Sequence, residues 1–383
     1  MIDVEYDLGS VRLHESDNPY IRYFDLLPLE SSEHLLPAQH GVTPTRHAER
    51  LGRKLGLPRL YLKDETVLPT RTTKDRMAAV VLSCFREYGV REFSAASTGN
   101  SSTALGQLVR FYPQCRLHLF CAEDFLDRLQ VDEDEQITIW AMRGASFVEA
   151  SQAAATFAQR TGIVSEGGFF NLARREGLKL AFLEAAEAVP GAIDWYVQAV
   201  SSAMGVYGVY KGANELLSLG RIAKIPRLLC VQQDTCCPMA KAFQAGSDTI
   251  RPQDIFPRPT GIAQAILRGD PSRVYPYVRR IVKENGGTIV AVDQARIVAA
   301  RQMVRQLEGI DICYTSATAV AGLIAQVEQE LVPRQDTVLV TLTGADRPPK
   351  PPRTVHWLER TSRGWQPPEM SQENQCRQWE RAK

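Results

Sequence analysis

Four short clusters in this chain carry side chains whose types and spacing could do chemistry. The first is Thr72-Thr73-Lys74-Asp75-Arg76, between a polar turn (Pro69-Thr70-Arg71) and an apolar helical run (Met77–Phe85). A cation at a helix N-terminus is opposed by the helix dipole. Lys74 is therefore expected to be neutralised or paired with an anion, and a Schiff-base lysine meets both conditions. A surface lysine paired with Asp75 or Glu65 explains the same residue. The second cluster is Ser97-Thr98-Gly99-Asn100-Ser101-Ser102, which follows an apolar strand and opens a helix. Gly99 permits a tight turn, and the hydroxyls and Asn100 stand at capping positions, where unbonded N–H groups suit a carboxylate. The third is Val200-Ser201-Ser202-Ala203-Met204-Gly205, a strand-to-helix turn of small residues whose N–H groups could converge on a phosphate. The fourth is Leu342-Thr343-Gly344, where a hydroxyl at a strand's carboxyl end could bond a ring nitrogen.

Such clusters work only if elements hold them at one place. Strands are expected at Leu60–Lys63, Glu92–Ser97, Arg116–Ala122, Ser146–Glu149, Trp195–Val200, Leu228–Gln232, Thr288–Val292 and Thr337–Thr343. Several are continuous Val/Leu/Ile runs, as in strands buried on both faces of a mainly parallel sheet. Helical periods lie between them at Thr45–Leu55, Lys74–Tyr88, Ser101–Phe111, Leu172–Ala188, Tyr207–Leu219, Ala295–Leu307 and Thr315–Glu330. This alternation predicts an α/β fold, whose ligands bind beyond the carboxyl ends of the strands. Three of the four clusters follow such strand ends. From Arg347 onward six prolines interrupt any helix, and the polar tail Met370–Lys383 is expected to be a surface extension or a helix docked on a neighbour.

Composition narrows the partners. The chain has 383 residues, 45 Lys plus Arg against 44 Asp plus Glu, 44% hydrophobic and 23% charged residues. A net charge of +1 supplies no field for nucleic acid or an anionic membrane surface. No stretch reaches the roughly 18 apolar residues that span a bilayer. The start of the chain carries Asp3, Glu5 and Asp7 and lacks the plan of a secretion signal, so a cytoplasmic protein is expected. The eight cysteines show no paired metal-type spacing and the six histidines are scattered, so no metal is expected.

Together and in this order, the clusters resemble the fold-type II pyridoxal-phosphate enzymes of the tryptophan synthase beta-like superfamily, in particular the threonine synthase and cysteate synthase branch. The resemblance extends over most of the chain. It takes in Gly41–Thr45, Leu60–Thr66, Lys74–Arg76, Ser97–Ser101, Asn171–Lys179, Ser201–Gly205 with Tyr210–Gly212, Gly261–Ile266 and Leu342–Gly344. It implies two interleaved three-layer α/β domains with mainly parallel sheets. Residues 1–84 and 186–350 would form the large cofactor domain, 85–185 a smaller mobile one, and 351–383 a C-terminal extension.

The resemblance also implies roles. Lys74 would form the Schiff base with pyridoxal 5'-phosphate and move the substrate Cα proton. Asn100 would bond the cofactor's ring oxygen, Thr343 its pyridine nitrogen, and Ser201, Ser202, Ala203, Met204 and Gly205 its phosphate. Ser97, Thr98, Gly99 and Ser101 would hold the substrate α-carboxylate, and Arg174 would face an anion or form a salt bridge. The implied activity is elimination or replacement at the β-carbon of an amino acid such as serine or phosphoserine, through an aminoacrylate, in a homodimer. The alternatives are threonine synthesis from O-phosphohomoserine and a catalytically dead cofactor-binding homologue. Gly168-Phe169-Phe170 departs from the polar residues that threonine synthases tend to carry there, which counts against O-phosphohomoserine.

Overall fold

The apolar runs beginning near Leu60, Trp195, Leu228, Thr288 and Thr337 become neighbouring strands of one sheet. The computed structural model describes residues 1–37, 41–362 and 364–368, so the tail Met370–Lys383 lies outside the described residues. In chain order the strands are β1 (Thr45–His47), β2 (Leu60–Asp64), β3 (Glu92–Ala96), β4 (Arg116–Ala122), β5 (Ile137–Met142), β6 (Val164–Ser165), β7 (Trp195–Ala199), β8 (Arg227–Gln233), β9 (Thr288–Val292), β10 (Val338–Leu342), β11 (His356–Thr361) and β12 (Gly364–Gln366). The helices are α1 (Pro19–Arg22), α2 (Glu49–Leu55), α3 (Lys74–Glu87), α4 (Asn100–Leu108), α5 (Phe147–Thr161), α6 (Leu172–Ala188), α7 (Met204–Ser218), α8 (Pro238–Gln244), α9 (Tyr275–Glu284), α10 (Gln294–Glu308) and α11 (Tyr314–Glu328).

The strands form two six-stranded sheets, ordered β1-β2-β10-β7-β8-β9 and β12-β11-β5-β4-β3-β6. Among the described residues only the end pairs β1–β2 and β11–β12 are antiparallel strand pairs, so the fold is α/β with mainly parallel sheets. In the first sheet Tyr196, Leu228, Cys230, Ile289 and Leu339 enter one apolar core, while Trp195, Val197, Leu229, Val231, Val290, Val338 and Val340 enter another on the opposite face. Helices therefore cover both faces, and this is why these strands read as unbroken apolar runs. In the second sheet, Phe157 of α5 packs on Phe120 and Trp140. The first sheet draws on residues 45–64 and 195–342 and the second on 92–165 and 356–366, so the two units are interleaved along the chain. Among the described residues no helix is long and apolar enough to cross a membrane.

Two sequence expectations change. The strand expected at Ser146–Glu149 is the start of helix α5. Ser146 and Glu149 exchange side-chain and backbone hydrogen bonds as a capping box, a signal that the Ser-x-x-Glu spacing carries. The helix expected from Thr45 begins at Glu49, because residues 45–47 pair with β2 instead. Residues 356–366, in the segment read as an extension, add β11 beside β5 and β12 beyond it.

Helix α6 is pressed between α3 and α7. At Gly208 of α7 a Cβ would stand 2.3 Å from the Arg175 carbonyl of α6, so only glycine allows this approach. Replacing Gly208 by alanine must push the helices apart and is expected to cost about 1–3 kcal/mol. The measurement is a lower urea midpoint with an unchanged m-value.

Candidate functional site

Between the two sheets lies a cavity of about 430 Å³, at the carboxyl ends of β3, β7 and β10. It is lined by Lys74, Ser97, Thr98, Asn100, Ser101, Arg174, Ser201, Ser202, Ala203, Met204, Gly205 and Thr343. Of the residues to which the resemblance assigns a role, Gly99 alone stands off the wall; it has φ 112° and turns the chain into α4.

Lys74 is the first residue of α3 and is partly buried. Neither carboxylate suggested as its partner pairs with it. Asp75 accepts hydrogen bonds from the backbone N and Oγ1 of Thr70, both at 2.7 Å. Glu65 pairs with Arg76 at 2.6 Å. Among the described residues no carboxylate lies within ion-pair distance of Lys74 Nζ. Burial, and then the Arg174 guanidinium, push its ammonium down to about 8. A lysine so placed is an accessible nucleophile and base near neutral pH. Its turn is held to the fourth cluster, since Thr73 N donates to Thr343 O at 2.9 Å and Thr72 bridges Gly344. A Cβ on Gly344 would lie 2.6 Å from Arg71 O, so a glycine two residues beyond β10 is needed for this approach.

The second cluster divides its labour. Ser97 Oγ accepts from the N–H groups of Gly99 (3.1 Å) and Ser102 (3.0 Å), so this hydroxyl shapes the turn. The N–H groups of Asn100 and Ser101, first in α4, remain as donors, as helix starts provide. The third cluster opens α7. Ala203, its N-cap, has φ 57°, a left-handed conformation that costs a non-glycine residue about 1–2 kcal/mol. Strain of this kind gathers where a backbone must present itself to a ligand.

Arg174 is buried, and Glu166 binds its guanidinium through both carboxylate oxygens. Ser101 Oγ accepts a further bond from it at 3.3 Å. Of the two readings of Arg174, the ion pair is formed, and its partner is Glu166.

Two arginines that the sequence did not single out stand on the same wall. Arg268 lies over the Phe147 ring at 5.6 Å and Arg273 over the Phe170 ring at 5.0 Å. Neither has a carboxylate within ion-pair distance among the described residues, and burial holds Arg268 below its usual value. The available signal was their position just after the Gly261–Ile266 motif. Phe169 and Phe170 add an apolar wall. Cys236 and Cys237 are buried away from the cavity, and burial raises the Cys236 thiol to about 12.

A family model described as "Pyridoxal-phosphate dependent enzyme" matches residues 36–344. The chain is 30% identical to a threonine synthase of Methanosarcina acetivorans, over 90% of this chain and 85% of that protein. It is 27% identical to a cysteate synthase of Methanothrix thermoacetophila, over 84% of this chain and 79% of the other. Among solved structures, maize serine racemase superposes with a TM-score of 0.66 at 18% identity, covering 80% of this chain and 88% of that one. The processed form of threonine deaminase isoform 2 from Solanum lycopersicum gives 0.65 at 15% identity, covering 90% and 96%. These two likenesses establish a shared fold.

Proposed function

The chain belongs to the pyridoxal-phosphate-dependent enzymes, and on that premise we propose that it carries out elimination or replacement at the β-carbon of an amino acid bearing a second anionic group, such as phosphoserine. The cofactor is pyridoxal 5'-phosphate. The residues fit it: an amine without a counter-ion, Lys74, shares a cavity with the strained first turn of α7. When bound, the cofactor supplies an aldehyde that captures amines and a ring that delocalises charge from the substrate Cα. In this reading Lys74 would hold it covalently, Asn100 its ring oxygen, Thr343 its ring nitrogen, and residues 201–205 its phosphate.

The remaining steps belong to the chain's own side chains. Lys74 Nζ, whose basicity lies near neutral pH, takes the Cα proton and returns one. The N–H groups of Asn100 and Ser101, with Thr98, hold the α-carboxylate. Gly99 and Ser97 shape that turn, and Arg174 with Glu166 braces it through Ser101. Phe169 and Phe170 keep water from the reacting carbon. Residues 85–185 close over substrate, and the working form is a cytoplasmic homodimer.

One observation carries the substrate class: Arg268 and Arg273 face the cavity of Lys74 without carboxylate partners, whereas Arg174 has one. The test is phosphate release by the holoenzyme from O-phosphoserine against O-phosphohomoserine. A higher kcat/KM is expected for O-phosphoserine. Arg268→Gln should raise its KM about tenfold or more while sparing serine, because a charge-assisted contact is lost. Preference for O-phosphohomoserine would instead support threonine synthesis, the reading favoured by the 30%-identical relative. A purified protein that shows the bound cofactor's visible absorbance but turns over neither substrate would favour the inactive homologue.

A further inference from the structure

Behind Asn100 lies a smaller chamber of about 130 Å³, which shares Asn100 and Thr315 with the wall of the main cavity. Arg347 lines it, on the segment that leaves the first sheet after β10 and crosses to β11 of the second. Its Nη2 donates to Asn100 Oδ1 at 2.8 Å and to Arg128 O at 3.3 Å, and its Nη1 donates to Thr70 O at 3.0 Å. Among the described residues no carboxylate lies within ion-pair distance of this guanidinium. Its visible hydrogen-bonding work is therefore done on neutral carbonyl oxygens, one of them the Asn100 side chain.

A guanidinium has five N–H donors and no acceptor. The atom of the Asn100 amide that meets it must be the oxygen, which fixes an orientation that an amide otherwise leaves open. The Nδ2 group is then left as the donor. A ring oxygen of the cofactor is an acceptor, and a flipped amide would confront it with a second acceptor. We propose that Arg347 is a positioning residue that holds the Asn100 amide with its N–H₂ group available to the cofactor's ring oxygen. This rests on the pyridoxal-phosphate reading of the cavity. The same guanidinium grips Thr70, whose backbone and hydroxyl hold Asp75 beside Lys74. Arg347 thereby links the turn before Lys74 to the first residue of α4.

The test is a double-mutant cycle on cofactor binding. Apoprotein of the full chain, as wild type, Arg347→Met, Asn100→Ala and the double variant, is titrated with pyridoxal 5'-phosphate and followed by its visible absorbance. Each single variant should weaken binding about tenfold, the scale of one charge-assisted hydrogen bond. The double variant should bind no more weakly than Asn100→Ala alone. Arg347→Lys, which keeps one donor, should recover part of the loss. Asn100→Asp should bind as poorly as Asn100→Ala, since a carboxylate paired with Arg347 offers the ring oxygen no donor. Additive losses in the double variant, or full binding by Arg347→Met, would overturn the inference. Thermal unfolding of each apoprotein separates a loss of fold from a loss of binding, and if Arg347→Met is unfolded the Lys and Asp variants decide. Failure of the wild type to take up the cofactor would overturn the cavity reading itself.

Discussion

Replacing Lys74 by alanine is expected to lower turnover by about 10³-fold or more, the scale for losing a positioned base that is also the covalent anchor. Overall secondary structure should be retained, because the Lys74 side chain makes no ion pair among the described residues and Asp75 keeps its bonds to Thr70. Borohydride reduction of the wild-type holoenzyme should fix the cofactor's mass on the peptide carrying Lys74, and the alanine variant should show no such adduct. An adduct on another lysine would refute the assignment. The pH dependence follows from the same geometry. Burial and Arg174 bring the ammonium down to about 8, so the neutral, nucleophilic fraction rises as pH passes upward through that value. Capture of the aldehyde by apoprotein should therefore quicken from pH 7 to 9 and level off above. Arg174→Gln removes the second of the two causes and should move this inflection upward, toward the ordinary lysine range. Rates independent of pH across that window would mean that the amine is not the titrating group.

Much of the scaffold was legible because buried parallel strands and long helices write their pattern locally. The residues of α6 and β9 match their expected limits, and β4 does so as well. The cavity was legible because its polar clusters follow strand ends, where an α/β fold must place its ligands. What escaped was pairing between distant positions. The Ser97 hydroxyl looks like a ligand donor until its bonds to Gly99 and Ser102 are seen. Arg174 looks like an anion receptor until Glu166 is found on it. Arg268 and Arg273 sit in a loop without periodicity, and Arg347 follows a strand end in a proline-rich segment. None has a local sequence pattern, because each acts on a group brought near by the fold. Strand β5 (Ile137–Met142) was also missed, although it is fully apolar at its end, since the segment before it, residues 132–136, is acidic and carries no turn signal; Gly144 marks only its far end.

The second large effect lies beneath the site. Arg76 and Lys63, with Glu65 and Glu184, form a cluster of two cations and two anions whose side chains are at most 1% exposed. Arg76 meets Glu65 and Glu184, each at 2.6 Å, and Lys63 meets Glu184 at 2.6 Å. The cluster joins β2, the start of α3 and the end of α6, so it anchors the helix that begins with Lys74. Glu184→Gln keeps the shape and removes one negative charge, leaving two buried cations to share Glu65. Breaking a buried ion pair in this way costs about 3–5 kcal/mol. Denaturant unfolding should show the loss. Adding Lys63→Met should restore part of it, because the remaining Arg76–Glu65 pair is balanced, and the double variant should lose less than the sum of the singles. Equal and additive losses would mean that the four charges are not coupled. Acid gives an independent reading. Burial alone would raise Glu65, but the Arg76 guanidinium overcomes it and holds the carboxyl at about 2. The folded state thus keeps this proton off while the unfolded chain takes it up near the ordinary glutamate value of about 4.3. The stability from Glu65 is full above that value and drains away as pH falls toward 2, so wild-type acid unfolding should fall in that window. Arg76→Met should shift its onset to higher pH, since it removes the cation that holds Glu65 ionised.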